Sequence, residues 1–236
     1  NLTLFKCKMS PFQAKIYKNS LNSKENVLFK ESSSSLTMVY PDKTIGEAGF
    51  KKYILNTNST KLLGKQNLQE YSTKLYNLLN NIEKTKGPIF IYSNLVNHGG
   101  VSLVKEVLRA NGYSSFGASN TRPKFISITE QTKLSSRKKL LGILNNPDNS
   151  YGEKIKIIIG SPVISEGITL KNIRQIHILE PYWNMSKIEQ VIGRGVRFNS
   201  HTRLPKHQRK VEIFLYTSVF SSNSKEDTID TLKYSL

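Results

Sequence analysis

The residues best suited to chemistry are two arginines and a glutamine near the end of a predicted helix. Arg194 lies four positions after Gln190 and three before Arg197, so on a helix the three side chains share one face. Arginine is always charged, and its planar guanidinium suits phosphate oxygens. Two such groups aimed outward could stabilise the charge of a transferring phosphoryl group. On spacing alone, an ordinary basic helix face is the favoured interpretation.

Two glycines, Gly193 and Gly195, interrupt the same helix. Each costs about 1 kcal/mol relative to Ala in a helix interior. Close approach of another backbone or of a ligand would explain them. The helix is predicted over residues 186–196, with Ser186 as its N-cap and Glu189 completing a capping box.

Alternating strands and helices are predicted to position this helix. Apolar runs predict strands at residues 89–92, 125–128, 155–159, 175–179 and 211–216. Helical periodicity predicts helices at residues 68–82, 101–110 and 133–144. This alternation favours an α/β domain, with a mainly parallel sheet and helices on both faces.

The flanking segments are less regular. Ser10 and Pro11 suit the start of a helix, residues 32–35 are four serines typical of a loop, and residues 41–67 look irregular. We therefore predict a connector or insertion at residues 1–67, a core domain at residues 68–220 and a polar tail at residues 221–236.

Composition limits the classes of function. The 236 residues include 35 Lys and Arg against 17 Asp and Glu, a net charge of +18. This charge suits a nucleic-acid partner, and a lysine-rich proteome would explain it equally well. Cys7 is the only cysteine, which excludes an internal disulfide, and no apolar run reaches the ~18 residues that span a bilayer. The chain begins at Asn1 rather than Met, so we expect a piece of a longer protein.

Three segments in order resemble motifs of superfamily 2 helicases. The Gln-x-x-Gly-Arg-x-x-Arg pattern at residues 190–197 resembles motif VI, and the Trp-Asn pair at 183–184 precedes it as in Swi/Snf-type members. Residues 160–170 resemble motif V, and residues 89–93 resemble the strand that carries motif IV. The likeness implies a RecA-like helicase C-terminal domain.

A closer resemblance is to helicase-like ATPases of nucleocytoplasmic large DNA viruses. It rests on Ser-Glu-Gly-Ile at 165–168, His-Ile-Leu-Glu-Pro at 177–181 and Arg-Phe-Asn-Ser-His at 197–201. Three types fit: the small subunit of poxvirus-type early transcription factors, nucleoside triphosphatase I, and helicases of yeast cytoplasmic linear plasmids. The viral types imply a transcription-related role in the cytoplasm or the virion.

The resemblance also implies roles for particular residues. Arg194 and Arg197 would be the catalytic arginine fingers that reach bound ATP. Contacts with the nucleotide are implied for Gln190, Gly167 and Glu166. Contacts with nucleic acid are expected for Ser93, His98, Gly99, Ser165 and Thr169, which follow strands or lie in motif V.

Other residues have weaker signals. Trp183 suits packing, with stacking on a base as the alternative. His201 is predicted to be a structural hydrogen-bonding residue, and the basic segment 203–210 suits phosphate contact and plain solvation equally. The spacing of the histidines and the cysteine predicts no metal site.

The 236 residues contain neither a G-x-x-x-x-G-K-[ST] loop nor an Asp-Glu-x-x box. The ATP phosphates and Mg²⁺ would then be held by an N-terminal RecA-like domain, the expected partner, together with DNA or RNA and transcription machinery. The leading hypothesis is the second motor domain of a nucleic-acid-dependent ATPase, a helicase or translocase. The alternatives are a catalytically inactive nucleic-acid-binding or scaffolding module and a separate basic α/β domain.

Overall fold

A seven-stranded parallel sheet forms the centre of the computed structural model, which describes residues 2–22, 30–56, 61–165, 167–182, 184–221 and 226–234. The strands are β1 (Leu2–Lys8), β2 (Ile89–Tyr92), β3 (Ser114–Ser115), β4 (Lys124–Ile128), β5 (Ile157–Gly160), β6 (Gln175–Ile178) and β7 (Glu212–Val219). Their order across the sheet is β1-β7-β6-β2-β5-β4-β3, and every pairing is parallel. The predicted α/β class is confirmed.

Helices connect the strands. They are α1 (Pro11–Leu21), α2 (Lys30–Thr37), α3 (Gly46–Phe50), α4 (Lys65–Tyr71), α5 (Thr73–Glu83), α6 (Val101–Ala110), α7 (Leu134–Leu144), α8 (Met185–Gly195) and α9 (Ile229–Tyr234). A π-helical turn, Lys51–Leu55, continues α3, and 3₁₀ turns lie at Pro147–Asn149, Pro162–Ser165 and Lys206–Gln208. Within the described ranges, none of the helices has the length and apolar character to cross a bilayer.

The sheet is covered on both faces, as the side chains of its central strand β2 show. Ile89 and Ile91 belong to one apolar cluster, together with side chains of α5 and α6. Phe90 and Tyr92 point the opposite way, into a second cluster that includes residues of α8. Because successive side chains of a strand alternate between its faces, a strand this apolar throughout must lie between two layers.

The single helix predicted over residues 68–82 is wrong, because the structure has two helices there. Ser72 separates α4 from α5 with an extended backbone, φ −158° and ψ 86°. Its hydroxyl caps α5 by accepting from the Leu75 N–H at 3.2 Å, and it donates to the Thr37 carbonyl at 2.5 Å. The apolar period continues through the break, which hides the capping serine.

The prediction of a loop at residues 32–35 is also wrong, and so is that of irregular chain at 41–67 where the structure has helical turns, at residues 46–55 and 65–67. The four serines lie in α2, where Ser35 is fully buried and its hydroxyl donates to the Ser32 carbonyl at 2.8 Å. Residues 41–67 contain α3, the π-helical turn and the start of α4, and they place Phe50 and Ile54 in the core. In the packed helix the buried Ser35 hydroxyl has a hydrogen-bond partner, whereas a run of serines in an isolated segment favours a loop.

Both terminal segments pack against the core domain. β1 extends the central sheet by pairing with β7. In the tail, the Asp230 carboxylate of α9 accepts from the Lys74 ammonium at 2.8 Å and from the Ser218 N–H at 2.9 Å. Both charged side chains are almost fully buried, at 1% and 5% exposure. The boundaries at residues 67/68 and 220/221 remain predictions, but the sheet is continuous across the first of them.

A buried histidine on β6 links two strands. The His177 ring stacks on Phe214 with centroids 5.0 Å apart, and its nitrogens bond to the Tyr216 hydroxyl at 3.0 Å and the Gln175 amide oxygen at 3.1 Å. Burial lowers the pKa of His177 from 6.5 to about 3. The folded protein therefore holds this ring neutral at pH values well above 3.

This neutral histidine should make stability depend on pH. Below pH 6.5 the unfolded chain takes up a proton that the folded state excludes, so the free energy of unfolding falls as the pH falls. At pH 4.5 the loss should be about 2 to 3 kcal/mol relative to pH 7. Urea denaturation at pH 4.5 and at pH 7 measures the free energy of unfolding, with His177→Gln as the reference. An equal pH dependence in that variant would contradict the assignment.

Candidate functional site

Helix α8, which bears the motif VI pattern, has its N-cap two residues earlier than predicted. Its N-cap is Asn184, whose side-chain oxygen accepts from the Ser186 N–H at 2.9 Å. Ser186 therefore lies inside the first turn, and the predicted Ser186 cap is wrong. Asn is as good a cap as Ser, so residue preference at the cap does not distinguish Asn184 from Ser186.

The end of α8 separates the two arginines. The helix ends at Gly195, and Val196 leaves the helical conformation with φ −113° and ψ 79°. Arg194 is in the last helical turn and partly buried, whereas Arg197 lies beyond the helix and is exposed, as is Gln190. The prediction that all three share one helix face is therefore wrong for Arg197.

A different contact fixes the position of Arg197. Its guanidinium donates from Nη1 to the Thr169 hydroxyl at 2.7 Å. The turn that follows is held by the Ser200 hydroxyl, which donates to the Arg197 carbonyl at 2.7 Å, and by the Ser200 carbonyl, which accepts from the Asn172 N–H at 3.0 Å. The motif VI arginine is thereby joined to motif V on a braced turn.

Arg194 lies beside the same segment but is less completely bonded. Its carbonyl accepts from the Leu170 N–H at 2.8 Å. Its side-chain Nε is buried and has no hydrogen-bond partner among the described residues. An unsatisfied buried donor costs about 1 to 3 kcal/mol, so an acceptor brought to this nitrogen would stabilise it.

The glycines of the site have separate explanations. A Cβ at Gly195 would lie 3.0 Å from Cδ1 of Ile176 on β6, so helix–sheet packing accounts for that glycine. Gly193 and Gly167 face open space, and Gly167 has a φ of +64° that disfavours other residues. Close packing therefore explains one of the two helix glycines, and backbone conformation explains the glycine of motif V.

A second set of predicted residues lies at the carboxyl end of β2. Ser93 is fully buried, and its hydroxyl is within hydrogen-bond distance of the Leu95 carbonyl at 2.9 Å and of the Glu180 carboxylate at 3.0 Å. The predicted nucleic-acid contact through this side chain does not fit its burial. Ser93 instead shapes the loop that follows the strand.

The neighbouring residues His98 and Gly99 are partly exposed in that loop. His98 Nε2 lies 3.3 Å from the Glu47 carboxylate of α3, and its ring is 6.0 Å from that of Phe50. Both residues are accessible at the carboxyl edge of the sheet, where ligands of open α/β folds bind.

Comparison with known proteins decides the family. Residues 70–199 match the model of the helicase conserved C-terminal domain. The chain belongs to this helicase C-terminal domain family. The matched range includes β2, α8 and every predicted site residue.

Two viral relatives and one solved structure agree with this membership. Over 97% of its length the chain is 34% identical to 087L of Invertebrate iridescent virus 3, a protein named as a helicase, and it covers 25% of that protein. It is 32% identical, over 74% of its length and 25% of the relative's, to nucleoside triphosphatase I of Melanoplus sanguinipes entomopoxvirus. The fold matches the C-terminal part of the Fun30 ATPase domain with a TM-score of 0.61, at 18% identity, covering 100% of this chain and 88% of that one. The predicted resemblance to viral ATPases with a Swi/Snf-like fold is confirmed, and the chain spans about a quarter of these two viral relatives' length.

The predicted site residues of this helicase C-terminal domain lie in two separate places. Thr169 was predicted to contact nucleic acid with Ser93 and His98, but it contacts Arg197 near the segment that leads into β6. His98 and Gly99 follow β2 at the carboxyl edge. Glu166 and Trp183 lie outside the described residues, as does the side chain of Ser165, whose backbone ends a 3₁₀ turn.

Sequence reasoning missed Glu180, a partly buried residue just after β6. Its two carboxylate oxygens accept from the Ser93 hydroxyl at 3.0 Å and from the Asn94 N–H at 2.9 Å. Burial raises the pKa of Glu180 to about 7, although Lys74 and these two bonds act to lower it. An acidic residue between apolar residues and a proline, in Leu-Glu-Pro, was the available signal.

Two further polar residues, His201 and Arg209, have structural partners. His201 is buried and bonds to the Ser200 hydroxyl and the Ile173 carbonyl, both at 2.7 Å, which confirms its structural role. In the basic segment 203–210, the Arg209 guanidinium donates to carbonyls of its own turn. Among the described residues, no group of three or more His, Cys, Asp and Glu side chains could hold a metal ion.

Proposed function

We propose that this chain is the second motor domain of a nucleic-acid-dependent ATPase, a helicase or DNA translocase of viral type with a role in transcription. Arg194 and Arg197 would act as arginine fingers on ATP held by an N-terminal RecA-like domain of the same protein. Membership of the helicase C-terminal domain family supports this, and so do relatives named as helicase and nucleoside triphosphatase. Cytoplasm or virion would be the site of action.

The observation that carries the proposal is the state of the two guanidiniums. Arg194 has a buried Nε with no hydrogen-bond partner in the described part of the chain, and Arg197 is exposed but held by Thr169. Preorganised cations aimed at developing charge stabilise a phosphoryl-transfer transition state without reorganisation at the moment of reaction. Binding of ATP would place phosphate oxygens within reach of the Arg194 and Arg197 guanidiniums.

The Thr169 contact also suggests how nucleic-acid binding is coupled to ATP hydrolysis. Motif V residues run from the carboxyl end of β5 to Thr169, and Arg197 contacts their far end. A nucleic-acid strand bound at the carboxyl edge of the sheet could thereby move Arg197 through the motif V segment. Closure of the cleft on ATP and its opening after hydrolysis would then move the domain along nucleic acid.

The 236-residue chain alone should show no steady ATP hydrolysis, because it lacks a phosphate-binding loop and a magnesium-binding carboxylate box. Phosphate release from the purified chain measures this, with the full-length protein as the positive control. Release that Arg194→Ala abolishes in the isolated chain would show that the architecture is misassigned. A full-length protein without nucleic-acid-stimulated hydrolysis would instead favour the inactive binding module.

Binding to nucleic acid should be salt-dependent and insensitive to sequence, because phosphate contacts contain no base information. We expect the log–log slope against salt to weaken by about 0.7 to 0.9 for each phosphate contact removed. Lys133→Gln with Lys138→Gln removes two exposed charges at the start of α7, which follows the carboxyl end of β4. Fluorescence anisotropy with labelled DNA at several salt concentrations measures the slope.

The matched control removes two charges from the other end of the sheet. Lys206→Gln with Lys210→Gln changes exposed residues just before β7 starts. Binding along the carboxyl edge requires that this pair affect the slope less than the α7 pair. The reverse result would place the nucleic acid on generic surface charge and remove support for a helicase track.

A further inference from the structure

The loop that joins β2 to α6 is held by one carboxylate from another strand end. Glu180, which follows β6, accepts two hydrogen bonds, and both donors are in this loop: the Ser93 hydroxyl and the Asn94 N–H, at 3.0 and 2.9 Å. We propose that Glu180 is a positioning residue that sets the conformation of residues 93–100 for binding nucleic acid. The inference rests on the proposed function, since it assigns His98 and Gly99 of this loop to the nucleic-acid track.

The bonds of Ser93 show how one carboxylate can control the whole loop. The Ser93 oxygen accepts from the Leu95 N–H at 3.2 Å, and its single proton is within reach of both the Leu95 carbonyl and Glu180. The Leu95 carbonyl also accepts from the Val101 N–H at 2.9 Å, the first residue of α6. A chain of hydrogen bonds therefore runs from Glu180 through Ser93 to the start of the helix.

The packing of Gly100 shows that the loop has little freedom. A Cβ at this position would lie 2.5 Å from the Ser93 hydroxyl and closer still to the Leu95 carbonyl. Gly100 is buried, whereas His98 and Gly99 just before it are partly exposed. The hydrogen bonds at the base of the loop thus hold the accessible residues His98 and Gly99 in one position. A loop that is already ordered binds its ligand without the entropy cost of becoming ordered.

The substitutions follow from this hydrogen-bond arrangement. In Glu180→Gln the amide oxygen still accepts from the Asn94 N–H, and the amide nitrogen donates to Ser93, which then donates to the Leu95 carbonyl. In Glu180→Leu both acceptors are lost, and the Asn94 N–H is left unsatisfied. Ser93→Ala removes the central hydroxyl by a smaller change and tests the same arrangement if the leucine variant does not fold.

The test uses the full-length protein, with duplex DNA as the probe and ATP hydrolysis as the readout. Glu180→Leu and Ser93→Ala should raise the KM for DNA by about tenfold, the equivalent of one lost hydrogen bond, with kcat at saturating DNA changed far less. Glu180→Gln should restore the wild-type KM. Glu212→Leu is the matched control, because Glu212 is an exposed carboxyl at the opposite end of the sheet, bonded to Gln175 at 2.9 Å.

Amide hydrogen exchange separates failure of this inference from failure of the proposed function. Exchange at residues 94–102 should accelerate in Glu180→Leu and Ser93→Ala but not in Glu180→Gln or Glu212→Leu. Unchanged exchange, or a KM unchanged in both disruptive variants, would overturn the positioning role. If neither DNA nor RNA stimulates the wild-type protein, the proposed function is wrong, and with it the assignment of the loop to a nucleic-acid track.

Discussion

Replacement of Arg194 by Ala in the full-length protein should lower kcat for ATP hydrolysis by about 10³-fold or more, the range that arginine fingers supply. The buried Arg194 Nε in the last turn of α8 is the structural reason, since it has no hydrogen-bond acceptor among the residues that the structure describes. Affinity for nucleotide should change far less, because the interaction strengthens as charge develops in the transition state. Single-turnover kinetics with a separate nucleotide-binding measurement would show both effects.

Arg197→Lys provides the geometric control for this prediction. Lysine keeps the charge but lacks the planar fork, and its single nitrogen cannot both donate to the Thr169 hydroxyl and reach a phosphate in the same way. The variant should therefore lose a comparable factor in kcat. Near-full activity of Arg197→Lys would remove the finger role from that residue and leave it with Arg194 alone.

Replacement of Asp230 by Asn should destabilise the domain by about 3 to 5 kcal/mol, the cost of leaving a buried charge without its partner. The Lys74 ammonium is 1% exposed and lies 2.8 Å from the Asp230 carboxylate. Asn can still accept from the Ser218 N–H, so the loss reports on the charge and not on that backbone bond. Urea denaturation followed by circular dichroism measures the change.

Two further variants make this result interpretable. Asp148→Asn breaks an exposed pair with Lys154 at 3.2 Å and should have little effect, because solvent screens such pairs. Lys74→Met combined with Asp230→Asn removes both buried charges and should be more stable than Asp230→Asn alone. If the single change costs no more than Asp148→Asn, then the buried pair does not anchor α9.

The strands of the central sheet were predictable because burial on both faces makes them continuously apolar. Residues 89–92 and 157–159 are such runs, and the structure places β2 and β5 there. β1 was not predicted, although it pairs with β7 along its whole length. Its sequence mixes lysines with apolar residues, as suits an edge strand, and its partner is at the other end of the chain.

The chemistry of the site was predictable by residue type but not by arrangement. The arginines were identified from their spacing and their resemblance to motif VI, yet the assumption of a continuous helix failed at Gly195. The contact between Arg197 and Thr169 depends on where that helix stops, which local propensity does not determine. Glu180 escaped notice because its role depends on two donors that lie far away in sequence.

The pairing of β1 with β7 also constrains the order in which the domain can be made. Leu2 pairs with Ile213, so β1 leaves the ribosome long before β7, its partner in the sheet. Until β7 emerges, β1 must remain unpaired, and such long-range pairing slows folding and exposes strand edges to aggregation. The N-terminal segment should therefore be the last to acquire protection during synthesis, and chains stalled before β7 should be clients of chaperones.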